Sequence, residues 1–90
     1  MTLTQFRDKA IDIAKKHGIN EHSVTVLAGS YGFHSSSSIY YSVKAWHKDS
    51  LTHITSALQP NPESALENFK QVIDSHFKVY SKEIFDIEIN

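Results

Sequence analysis

The sequence contains no cysteine. Disulfide frameworks, thiolate metal sites, iron–sulfur ligation and cysteine nucleophiles are excluded together, so the fold must rest on packing alone. No apolar run approaches the roughly 20 residues that a membrane span requires. The N-terminal segment is amphipathic and acid-containing rather than an apolar signal core, and the expectation is a cytoplasmic protein that does not engage membranes. No block of like charge is present either: nine Lys and Arg stand against ten Asp and Glu, a formal charge of −1, which is not the profile of a generic polyanion binder. No interior stretch has linker composition, so residues 1–90 are read as one domain. A chain of this size buries only about 60 to 70 % of the surface its unfolded form exposes, and nearly every large apolar residue is needed in the core. What the chain does have is histidine. Protonating all six would carry the formal charge from −1 to +5, so the sign of the molecule inverts below about pH 6.

Leu3, Phe6, Ala10, Ile13 and Ala14 recur at helical spacing. Thr2 with Gln5 forms a capping-box pattern, and Lys15, Lys16 and His17 before Gly18-Ile19 form a helix stop. A first helix is therefore predicted over about Thr2 to His17. Ser23 to Ala28 alternates as a strand. Gly29 to Ser38 collects two glycines and four consecutive serines and reads as a flexible loop carrying Tyr31, Phe33 and His34. Ile39 to His47 is the cleanest alternation in the chain, Lys48-Asp49-Ser50 a tight turn, and Leu51 to Leu58 a third strand antiparallel to the second. Asn61-Pro62 caps a second helix whose stripe includes Ala65, Leu66, Phe69, Val72, Ile73, His76, Phe77 and Tyr80. Ile84 to Ile89 alternates again, as a fourth strand would.

The fold class is thus α+β: two helices packed on one face of a three- or four-stranded antiparallel sheet, in the order α-β-β-β-α(-β). Strand parity places Tyr41, Val43 and Ala45 toward the helices. Thr25, Leu27, Tyr40, Ser42, Lys44, Trp46 and, less directly, His53 fall on the open face. Tyr40, Lys44 and Trp46 with the loop residues Tyr31, Phe33 and His34 make the candidate partner-binding set, since aromatic rings give large contact area at low entropic cost. Trp46 has a second reading, as a cover lying over Leu27.

No arrangement signals catalysis. The serines at 35–38 lie in no GxSxG elbow, Glu63 and Glu67 belong to the first turns of a helix, and Gly29 and Gly32 have the wrong spacing for a phosphate loop. His34, His47 and His53 could converge, but without HExxH or a carboxylate at ligand spacing neither a metal nor a cofactor is expected. His76 shares the apolar stripe of the second helix and should be half-buried.

The order of helix, three strands and helix resembles the double-stranded RNA-binding domain, as does Gly32-Phe33-His34 before Tyr41-Ser42-Val43-Lys44-Ala45. The loop is about three residues longer than in that family, its proline is missing, and the last helix opens on Asn61-Pro62-Glu63-Ser64-Ala65-Leu66-Glu67 instead of a lysine cluster. Carboxylates there repel a phosphate backbone, so nucleic acid is not the expected partner, although a nucleic-acid-binding domain of this topology is the first alternative. Tyr40-Tyr41-Ser42-Val43-Lys44-Ala45-Trp46, the charged turn and the Asn61-Pro62-Glu63-Ser64-Ala65-Leu66 helix start are similar to small phage and prophage accessory proteins. That resemblance implies a non-enzymatic protein-binding module, a phage-type inhibitor or modulator of a host protein such as a CRISPR defence nuclease. A homodimerising structural protein, joined through the open face or an edge strand, is the other alternative.

Overall fold

The structure, a computed structural model, describes residues 1–31 and 38–89, with side chains for 1–30 and 39–80. It contains two helices and a three-stranded antiparallel sheet in the order α1 (Leu3–Lys15), β1 (Val24–Tyr31), β2 (Ser38–His47), β3 (Thr52–Thr55) and α2 (Pro62–Ile89), with a 3₁₀ turn at Glu21–Ser23 before β1. The sheet order is β1-β2-β3, so β2 is central.

Local chemistry sets the ends of both helices. Thr2 Oγ1 accepts from Gln5 N–H at 3.1 Å and Gln5 Oε1 accepts from Thr2 N–H at 2.9 Å, the reciprocal bonds of a capping box. At the other end Ile19 N–H reaches Ala14 O at 3.1 Å and Gly18 N–H reaches Lys15 O at 3.0 Å. This stop needs a left-handed residue, supplied by Gly18 at φ 79°. Ile19, the residue after it, is buried in the core. α2 starts where Asn61 Oδ1 accepts from Ser64 N–H at 2.8 Å, with Pro62 in the first helical position.

Both helices cover the same face of the sheet, α1 over β1 and α2 over β2 and β3. The core between the layers holds Phe6, Ala10, Ile11 and Ala14 of α1, Val24 of β1, Val43 and Ala45 of β2, Ile54 of β3, and Ala65, Leu66, Phe69 and Ile73 of α2. Tyr41 presents its ring edge-on to Phe6, with centroids 5.8 Å apart. Ile11 belongs to this core and Leu3, which opens the sequence pattern, does not: Leu3 is 57 % exposed. The buried stripe of α1 is therefore rotated toward Ile11.

Four boundaries differ from the sequence expectation. β1 extends through Gly29, Ser30 and Tyr31, which pair with Tyr40, Ile39 and Ser38; of the loop expected over 29–38, residues 32–37 lie outside the described residues. At Gly29 a Cβ would lie 3.0 Å from Tyr40 Oη and 3.1 Å from Cζ, so the bare backbone there leaves room for the Tyr40 ring. Leu51 belongs to the turn rather than to the third strand. It adopts φ 52°, and that left-handed bend leaves its side chain 76 % exposed.

β3 stops at Thr55 instead of reaching Leu58. Lys44 pairs with Thr55 and Tyr41 with Gln59, so three residues, Ser56 to Leu58, face only two on β2. The result is a bulge. Ser56 compensates for it: its N–H donates to Val43 O at 2.8 Å, and its Oγ accepts from Val43 N–H at 2.8 Å in place of a ladder carbonyl. Ser42 Oγ donates to Ser56 O at 3.1 Å, which is why Ser42 is only 2 % exposed although parity assigns it to the open face.

Finally, the fourth strand expected over Ile84–Ile89 is absent, since α2 continues to Ile89. Ile84 and Ile87 extend the helical series of Phe77 and Tyr80, and Ser81-Lys82-Glu83 contains no glycine or proline to turn the chain.

Replacing Ser56 with alanine removes the side-chain acceptor of the buried Val43 N–H. Ser56→Ala is expected to destabilise the domain by about 1–3 kcal/mol, measured by urea denaturation. A loss below about 0.5 kcal/mol, the scale of neutral surface changes, would show that the bulge does not depend on this bond.

Candidate functional site

β2 alternates, so the face turned away from the helices carries Tyr40, Ser42, Lys44 and Trp46, flanked by Thr25 and Leu27 of β1 and by His53 and Thr55 of β3. Three of the predicted partner-binding residues, Tyr40, Lys44 and Trp46, thus share one face and are half-buried there. Tyr40 lies across Gly29. Trp46 pairs across the strands with His53, ring centroids 4.8 Å apart at 59°, and Leu27, opposite Ser42, remains 46 % exposed. Trp46 is therefore seated on His53 rather than over Leu27. Tyr31 is placed by its backbone at the end of β1 opposite Ser38; Phe33 and His34 lie outside the described residues.

The inner face of β2 runs Tyr41, Val43, Ala45 and then His47. Parity that buries Val43 and Ala45 also buries His47, which is 6 % exposed. His47 and His53 therefore point to opposite faces of the sheet and do not converge. Among the described residues no group of three or more His, Asp or Glu side chains is placed to hold a metal ion.

Instead, His47 meets α2 and the turn. Its Nδ1 lies 2.6 Å from Ser50 Oγ and 3.0 Å from His76 Nε2, and Ser50 Oγ lies 3.1 Å from the same His76 nitrogen. Phe77 and Tyr80 pack against the His47 ring at centroid distances of 4.6 Å and 4.9 Å. Phe77 also stacks with His17 at 4.9 Å, and His17 contacts Asp74 at 2.9 Å. Above these rings opens a cleft of about 780 Å³, walled by the segment after α1, the end of β2, its turn, and α2. Sequence reasoning placed His76 correctly as half-buried. It missed the partnership with His47, although continuing the β2 alternation two residues past Ala45 gives His47 its inward direction.

Set against known proteins, the chain matches no family model, no curated protein and no solved structure. The fold and the open face must therefore speak for themselves.

Their energetic contrast can be measured. Trp46→Ala should cost about 1 kcal/mol or less, the range for a residue outside the core. Tyr41→Ala, which deletes the ring against Phe6, should cost about 3 kcal/mol. Urea midpoints of the two variants check this, and the reverse order would place Trp46 in the core and overturn the assignment of faces.

Proposed function

We propose that this chain is a non-enzymatic protein-binding module that captures an extended segment of its partner by strand addition at the outer edge of β1. The observation that carries the reading is the difference between the two edges of the sheet. β3 has four residues and is followed by the bulge at Ser56 and then by Pro60; these features discourage further pairing. β1 has none of them. Its eight residues, VTVLAGSY, include no charge and no proline, and its register with β2 runs without a slip from Val24↔Ala45 to Tyr31↔Ser38. Among the described residues no strand pairs with its other side.

The ladder also identifies which groups are available. Tyr41 and Val43 direct their N–H and C=O at Gln59 and Ser56, on the β3 side. In an antiparallel ladder the intervening Tyr40, Ser42 and Lys44 then direct theirs at Gly29, Leu27 and Thr25. Val26, Ala28 and Ser30 are left with backbone groups facing outward, while the Val24 N–H is taken by Glu21 O. Leu3, Thr4 and Arg7 of α1 line a groove beside Val26, Leu27 and Ala28. Neighbouring strand residues belong to opposite faces, so this groove follows the edge itself. A partner strand seated there pairs with the backbone, and its side chains reach Leu27 on the open face and Leu3 on the helical side, the division of affinity and specificity usual for strand addition. Tyr40, Lys44 and Trp46 lie farther along the same open face. A formal charge of −1, with Glu63 and Glu67 exposed at the start of α2, supports protein rather than nucleic acid as the partner.

Proline at position 28 tests the reading, because it deletes an outward N–H while leaving the inward ladder intact. The full chain and its Ala28→Pro variant are immobilised, exposed to extract from the source cell, and the eluates analysed for protein and nucleic acid. Specific protein capture by the parent and its loss in a variant that still melts cooperatively is the expected result. Equal capture by both, or capture abolished by nuclease, would contradict strand addition.

A further inference from the structure

The edge that β1 offers is not chemically uniform. Val24 and Val26 pair with Ala45 and Val43 on the inner face of β2, so Val26, Ala28 and Ser30 belong to the helical face of the sheet and Leu27 to the open face. A residue of an added strand placed opposite Val26 or Ala28 turns its side chain to the helical face. One placed opposite Leu27 turns to the open face, whichever way the added strand runs. α1 does not cover the helical face out to its rim: Val26 is half-buried there, and Ala28 and Ser30 are exposed. The groove left along that rim, about 380 Å³, has Leu3, Thr4 and Arg7 as its helical wall.

Leu3 and Arg7 are four residues apart on α1 and lie on the same side of the helix, with Cβ atoms about 5–6 Å apart. Alternate residues of a strand are about 6.5 Å apart. Two same-face side chains of an added strand therefore match this spacing, one for Leu3 and one for Arg7. Arg7 is the one charged residue among those lining the groove, and it is exposed. Its neighbours three and four positions along the helix, Leu3, Thr4, Ala10 and Ile11, include no carboxylate, and neither do β1 and residues 31–38. Among the described residues the ion pair found is His17–Asp74, and no carboxylate lies within ion-pair distance of Arg7.

We propose that the segment captured by β1 carries a carboxylate two positions from an apolar residue, the carboxylate against Arg7 and the apolar side chain against Leu3, with a second apolar residue between them over Leu27. This rests on strand addition at β1 and specifies what is added. Backbone pairing is blind to sequence and supplies affinity, while Arg7, Leu3 and Leu27 select. A guanidinium holds a carboxylate in a two-bonded fork, and a cation at the same position is repelled. The pair stands at an exposed rim, so it adds up to about fivefold in affinity and is screened by salt. A second copy of the chain added through its own β1, VTVLAGSY, brings no carboxylate and leaves Arg7 unmatched.

The test pans a random library of eight-residue peptides, the length of β1, on the immobilised full chain at low salt, in parallel with Ala28→Pro, Arg7→Glu and Arg7→Gln. Arg7 is exposed on α1, so both of its substitutions leave the core intact. Peptides held by the parent and not by Ala28→Pro should share Asp or Glu two positions from an apolar residue. Arg7→Glu should exchange that acid for Lys or Arg in the enriched set, and Arg7→Gln should remove the preference. Changing the acid of one enriched peptide to its amide should weaken binding to the parent by up to about fivefold and leave binding to Arg7→Gln unchanged. Should Ala28→Pro not fold, slowed exchange of the Val26 and Ala28 amides when an enriched peptide is added to the parent takes its place. Edge-dependent peptides without a shared acid, or the same acid enriched on Arg7→Glu and Arg7→Gln, would overturn the charge assignment and leave strand addition standing. Enrichment unchanged by folded Ala28→Pro, no enrichment at all, or a parent chain that sediments as a dimer with its β1 amides protected would overturn both.

Discussion

The central strand constrains everything else in this domain. β2 is hydrogen-bonded on both sides, to β1 along its length and to β3 and Gln59 in part, and its period of two allows no local exceptions. Once Val43 and Ala45 are committed to the helices, Tyr41 must face Phe6, His47 must face α2, and Tyr40, Lys44 and Trp46 must stand on the other side. The aromatic open face and the buried histidine are two results of one register. A slip by a single residue would exchange them, burying Lys44 and Trp46 and exposing the core.

The two edges follow from the same strand in opposite ways. On the β3 side the match is imperfect, and Ser56 repairs it by lending its hydroxyl to Val43. A bulged, short strand joined to α2 through the Ala57 N–H to Asn68 Oδ1 bond at 2.7 Å offers little to another chain. On the β1 side the match is continuous, and that regularity leaves a long, uncharged row of backbone groups. Proteins commonly blunt such edges with lysine, proline or a bulge. Their concentration on one edge, and absence from the other, is the physical basis for assigning β1 to binding.

Much of this was legible in the sequence because its signals were periodic or chemical. The Thr2/Gln5 box, the Gly18 stop, the Asn61-Pro62 start and the β2 alternation each correspond to one structural consequence. The pattern was ambiguous where two periods fitted the same residues. Ile84, Phe85, Ile87 and Ile89 satisfy a strand over six residues and a helix over a longer window, and the helix prevails because no breaker separates them from Tyr80. The end of β3 was hidden for a different reason: a bulge depends on the partner strand and leaves no mark in the alternation of Leu51 to Leu58. The His47–His76–Ser50 contact joins residues up to 29 positions apart and could be read only in outline, as two histidines each placed on an inward face.

Backbone amide exchange along β1 in the isolated protein tests the central claim most directly, because it reports which edge groups lack a partner. The account predicts alternation: slow exchange at Thr25, Leu27 and Gly29, whose N–H groups face β2, and fast exchange at Val26, Ala28 and Ser30, whose N–H groups face outward. Uniform slow exchange across 24–30 would mean that the edge is already paired, by a second copy of the chain or by another part of this one, and would contradict an edge held open for a partner.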